Sequence, residues 1–282
     1  MAPAMSDIMT PDAAELAKDA PGEGRAPLAE GTAEHDLFIG LTRLGDNTLI
    51  LGHRVSEWCG HSPVLEEDIA LANMALDLIG QTQLWLGLAG KVEGAGRDAD
   101  ALAFRRDAWD FRNILLVERP NGDFGQTLMR QFLFDAWHAP MLTALEGSSD
   151  DRIADIARKA GKEVAYHIER SADLVIRLGD GTEESRARMQ KALDTLWPYV
   201  GEMFIGDVTD ARLASAGIMP APESLRSAWD ASVNPVLAEA RLTRPESTFA
   251  HKGGRQGRHS EHMGHLLAPM QWLQRAYPGA RW

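Results

Sequence analysis

"KEVAYHIER", residues 162–170, places a carboxylate and a histidine on one turn of what must be a helix. Di-iron carboxylate bundles use Glu-x-x-His, three residues apart, so that both side chains enter the bundle core. Here Glu163 and His167 are four apart, and the position three before His167 holds Val164. Whether this is a metal half-site with loose spacing or one that has been erased depends on what the other helices bring to the same depth.

The surrounding chain is helical in pattern. From Glu34, "HDLFIGLTRLGDNTLILGHRVSEW" repeats apolar residues near helical spacing and predicts a helix over 34–60. "CGHSP" breaks it, with Ser62 as the expected N-cap and Pro63 at the first helical position. "LEEDIALANMALDLIGQTQLWLGLAG" predicts a second long helix to about 90. It is apolar around most of its circumference and is therefore expected to be central. A shorter helix is expected over 99–116. The third long helix, 124–146, follows the turn "NGD" at 121–123. The fourth, 150–178, is capped by Ser149 or Asp150 and ends in "GDG". Residues 182–205 read as a helix divided near Pro198, and 260–276 as the last one. Nothing alternates with the period of a strand. Two antiparallel pairs of long helices joined by a crossover predict an all-α, ferritin-like bundle with extra C-terminal helices. The reading is one domain over 34–282. Residues 1–33, with six acids against two bases and no aromatic residue, are expected to be a disordered acidic tail.

Composition narrows the function. The chain has 282 residues, 44% hydrophobic and 25% charged, and a net charge of −12 with pI near 5.2. That balance argues against nucleic acid or an anionic membrane as a partner. The single cysteine, Cys59, excludes an internal disulfide and a cysteine-based zinc cluster. No apolar run approaches a membrane span and no secretory signal pattern begins the chain, so the expected location is the cytoplasm.

The ligand arithmetic favours erasure. On the second helix the best register is Asp77-x-x-Gly80, with a short acid and no histidine; on the fourth it is Val164-x-x-His167, with the acid lost. Asp46 and Asp135 lie inside apolar stretches of the first and third helices and are expected at matching depth. One histidine and two or three aspartates make a poor di-iron set, because each lost ligand removes charge and a coordination position together. The same residues read as a buried polar network in which His167 pairs with Asp77 or Asp135, with Arg43 and Arg130 as alternative cations. A weak mononuclear site is a third reading. Glu163 lies at the edge of the apolar stripe, as a solvated or interface carboxylate. "HSEHMGHLL" offers His259, His262 and His265 every third residue, a spacing that could gather imidazoles for a metal. "HKGGRQGRH" sets Lys252, Arg255 and Arg258 among glycines, where backbone N–H groups and cations could hold a phosphate, a CoA phosphate included, or an acidic partner.

"LGDNTLILGHRVSEWCGHSPVLEEDIALANMALDLIGQ", "NILLVERPNGDFGQTLMRQFLFDAWH", "GKEVAYHIERS" and "GRHSEHMGHLLAPMQWLQRAYPG" resemble, in order and spacing from about residue 44 onward, the C-subunit family of bacterial ring 1,2-phenylacetyl-CoA epoxidases. The resemblance implies a non-catalytic, metal-free subunit of a multicomponent monooxygenase in aerobic phenylacetate degradation. It implies as partners a homologous A subunit holding the di-iron centre, a small bridging B subunit, and a reductase using NADPH, FAD and an iron–sulfur cluster. The alternative on the residues alone is an independently metal-binding ferritin-like oxygenase or oxidase.

Overall fold

The computed structural model describes residues 27–278 and 280, and the sequence-based tail over 1–33 falls mostly outside them. Helix α1 (Ala33–Ser56) starts where Thr32 accepts a hydrogen bond from His35 N, with Glu34 and Asp36 favourably placed in its first turn. Helix α2 (Leu65–Glu93) runs back along it and stops at Gly94 in the left-handed conformation. The two approach closely because Gly45 has no side chain: a Cβ there would meet Leu86 at 2.5 Å. Helix α4 (Phe124–Leu145) is capped by Asp123, and α5 (Asp151–Gly179) by Asp150 rather than Ser149. These form the second antiparallel pair, and α5 lies against α2, giving a ferritin-like bundle. Short α3 (Ala99–Phe104) sits in the crossover. Helices α6 (Glu183–Leu196), α7 (Val208–Ser215), α8 (Arg226–Glu239) and α9 (Glu261–Ala276) wrap the bundle. No strand occurs among the described residues. One apolar core runs from Leu41 on α1 to Leu267 on α9. Pro198 divides the expected 182–205 helix, which ends in two short 3-10 turns.

Three expectations fail for physical reasons. The helix over 99–116 stops at Phe104. Beyond a 3-10 turn at Ala108–Asp110, the segment is irregular because helix side chains and a buried glutamate take its backbone donors. Asp46 accepts from Arg112 N at 2.8 Å, Asn47 from Ile114 N at 2.9 Å, and Glu202 from Leu115 N at 2.7 Å. Buried side chains thus satisfy groups that a helix would have satisfied internally. Ser62 is not an N-cap: α2 begins at Leu65 behind Val64, and Asp68 reaches back to Gly60 N and Ser62 N. Finally, α2 is not enclosed. Leu65 is 70% exposed, Ile69 53% and Leu76 69%, and they recur at spacings of four and seven along one face. Gly80 continues that stripe, with nothing within 4 Å of where its Cβ would stand.

Candidate functional site

The α2–α5 seam is built from matching polar turns. Asp77 and Gln81 on α2 meet His167 and Glu163 on α5. His167 Nε2 lies 3.0 Å from Asp77 Oδ2, and Gln81 Nε2 donates to Glu163 at 2.9 Å. Arg170 pairs with Glu67 farther along. His167 is fully buried, whereas the Asp77 side chain is 37% exposed. The pair therefore runs from the core to the surface.

Behind it, on α4, Asp135 accepts from Gln131 Nε2 at 2.7 Å and from Ser171 Oγ at 2.9 Å. Burial pushes its carboxyl up to about 6, partly opposed by the nearby His167 and these two donors. His138, one turn on, is also buried, and burial and then the proximity of His167 hold its imidazole down to about 3. A neutral ring is the form the core accepts there. The Nδ1 atoms of His138 and His167 and the Oε1 atoms of Gln81 and Gln131 are buried without a hydrogen-bond partner among the described residues.

Asp46 does not join this group. It is fully buried, but its oxygens are taken by Arg106 and by Arg112 N, and the Arg106 guanidinium also lies 4.2 Å over the Phe111 ring. The expected four-helix constellation is thus split: Asp77, Asp135 and His167 cluster, while Asp46 anchors the crossover. Gly80 points outward into open space and Val164 is buried in the apolar core. The alternative cations are engaged elsewhere. Arg43 pairs with Asp207 and with Asp210 at 3.1 Å. Arg130 donates to the Arg119 carbonyl and to Asn121 Oδ1, and burial, then Arg54, lowers its pKa to about 9.

The donor set does not fit a di-iron centre. Its two imidazoles are His167, paired with Asp77, and His138, kept neutral by burial, and its enclosed carboxyl, Asp135, is held by neutral donors. No three His, Cys, Asp or Glu side chains are grouped to hold a metal among the described residues. The histidine triad also disperses. His259 turns inward to Glu118 Oε2, 2.7 Å away, and to the Phe111 carbonyl, while His265 faces solvent.

The glycine-rich stretch does form an anion nest, and its anion is internal. Gly253 N and Gly254 N donate to Glu202 Oε1 at 2.8 and 2.9 Å, and Arg255 pairs with Asp210 at 2.6 Å. Gly254 is required at that contact, since a Cβ would meet the Asn113 carbonyl at 2.3 Å. A phosphate would have to displace a buried carboxylate, so Lys252 and Arg258, both exposed, are what is left for an external anion.

Gln81, Gln131 and Ser171 escaped the sequence reading because none belongs to a metal motif, and His138 escaped it although Asp135-x-x-His138 has the acid-x-x-His spacing with aspartate in place of glutamate. Their signal was spacing: 163, 167 and 171 on α5, and 131, 135 and 138 on α4, share helix faces with the residues that were singled out.

A family model described as "Phenylacetic acid catabolic protein" matches residues 26–282. The C subunit of the 1,2-phenylacetyl-CoA epoxidase of Escherichia coli (strain K12) is 47% identical over 240 residues, 85% of this chain and 96% of that protein. With the helical bundle and the α2–α5 seam described above, these matches mean that the chain belongs to the phenylacetic acid catabolic protein family.

Proposed function

We propose that this chain is the structural, non-catalytic subunit of a multicomponent oxygenase that epoxidises the aromatic ring of phenylacetyl-CoA in phenylacetate degradation. In this reading it holds a homologous di-iron subunit, and a small bridging subunit and a reductase with NADPH, FAD and an iron–sulfur cluster complete the system. Its own bundle carries no metal. The observation that carries the reading is the state of the bundle centre: Val164, buried three residues before His167, has no ligand atom in its side chain, and Asp77, Asp135 and Asp46 have protein partners. The apolar stripe Leu65, Ile69 and Leu76, ending at open Gly80, supplies a face on which a partner helix can pack.

The test is co-expression with the di-iron homologue, followed by size exclusion and elemental analysis. The expected outcome is a stable complex whose iron resides in the partner, with Leu76→Asp preventing co-elution while leaving the isolated chain's melting temperature unchanged. Two irons per isolated chain would overturn the reading, as would separate elution of the two wild-type proteins at micromolar concentration.

A further inference from the structure

A cleft of about 490 Å³ opens between the start of α8 and the extended segment 244–249, far in sequence from the α2–α5 seam. That volume falls within the roughly 300–1,000 Å³ of small-molecule sites. Its wall carries two guanidinium groups that lie close over aromatic rings. Arg226 lies 4.9 Å over Phe204 and 5.5 Å over Trp229; Arg244 lies 5.1 Å over Trp197 and 5.8 Å over Trp229. Both share one carboxylate, Asp230, which accepts from Arg226 Nε at 3.0 Å and lies 2.8 Å from Arg244 Nη2. Arg244 Nη1 is engaged by Asn234. The Nη1 and Nη2 groups of Arg226 have no hydrogen-bond partner among the described residues, and the residue lines the cleft.

Arg226 and Arg244 face Asp230 and Glu246, so the cleft is formally neutral and the two guanidinium groups are its cationic wall in an otherwise acidic chain. The ring contacts and the pairing with Asp230 restrain both guanidinium groups, so less side-chain entropy is lost when an anion docks. Apolar side chains also line the cleft, Pro245 and Phe249 among them, and Phe249 is 61% exposed. Glu246 also lines the cleft, is exposed, and has no ion-pair partner among the described residues, so it competes with any anion for the arginines.

We propose that this cleft binds a small anion carried on a planar ring, with the anion held by Arg226 and Arg244 and the ring lying against Phe249. Either an aryl carboxylate or a nucleotide phosphate carries that chemistry.

Calorimetric titration of the full chain with phenylacetate, AMP and inorganic phosphate separates the sources. The expected result is saturable binding of phenylacetate or AMP with Kd below ~1 mM, and inorganic phosphate weaker by about tenfold or more. Arg226→Gln should weaken the ring-bearing ligand at least about tenfold, and Glu246→Gln should tighten it several-fold. Should Arg226→Gln fold poorly, Phe249→Ala at an exposed position tests the same site, weakening the ring-bearing ligand and leaving phosphate unchanged. No saturable binding of any probe would overturn the proposal. So would equal affinity for phosphate and both ring-bearing probes, or unchanged binding in a folded Arg226→Gln or Phe249→Ala variant.

Discussion

His167 Nε2 sits 3.0 Å from Asp77 Oδ2, the imidazole fully enclosed and the carboxylate open to water on its far side. The asymmetry decides what each partner contributes. Removing the buried member leaves a cavity and strips Asp135 of the neighbour that favours its ionised form, whereas Asp77→Asn keeps a polar group within reach of the ring and changes only a half-exposed position.

His167→Ala is therefore expected to cost about 3 kcal/mol and to lower Tm by roughly 5 °C or more, and Asp77→Asn only about 1 kcal/mol. Thermal denaturation of the two variants checks this. Equal losses would mean that the exposed carboxylate matters as much as the enclosed ring.

Asp135 has its folded pKa raised to about 6, above the ordinary 3.8, so the folded state holds this proton more tightly than the unfolded chain. Its contribution is fully present below pH 4 and is lost as pH rises towards 6. Asp135→Asn keeps an amide that can accept from Gln131 and donate to Ser171, and it removes the ionisation cost. The variant should be more stable than the parent by on the order of 2 kcal/mol at pH 8, and the difference should shrink by pH 4. Urea denaturation at the two pH values reads this directly.

His138 has the opposite sign. Its folded pKa is lowered to about 3, below the ordinary 6.5, so the stability it allows is complete above pH 6.5 and is lost as pH falls through that window. His138→Gln should remove up to about 1.4 kcal/mol per pH unit from the slope of stability near pH 5. An unchanged slope would show that the ring is already charged or solvated in the native state.

Glu202 ties two irregular segments together through Leu115 N, Gly253 N and Gly254 N. Glu202→Gln turns a donor towards at least one of these N–H groups and should cost about 3 kcal/mol. Hydrogen exchange should rise at Leu115, Gly253 and Gly254 more than in α1 and α2. Uniform exchange across the chain would argue against a local clamp.

Asp46 and Arg106 form an enclosed ion pair, 0% and 4% exposed in their side chains. Arg106→Met alone should cost about 3–5 kcal/mol because Asp46 is left uncompensated, while Asp46→Asn with Arg106→Met should recover much of that loss. A double-mutant cycle on chemical denaturation measures the coupling.

The sequence by itself determined the four long helices, because their apolar residues recur at helical spacing and Asp123 and Asp150 are local caps that need no tertiary partner. It also showed that the side chains at Val164 and Gly80 carry no ligand atom, whatever the fold. Tertiary structure decided what local pattern does not encode. The 99–116 segment has residues suited to a helix, yet Asp46, Asn47 and Glu202, distant in sequence, capture its backbone donors. Asp46 and Asp135 look alike in sequence, each an acid in an apolar run. Only packing shows that one faces Arg106 in the crossover and the other Ser171 in the bundle. The glycine-rich stretch announces an anion nest, but its anion, Glu202, lies some fifty residues earlier. Helix α2 reads as enclosed because its periodicity records every apolar contact it makes, and a single chain cannot show which of those contacts lie outside itself.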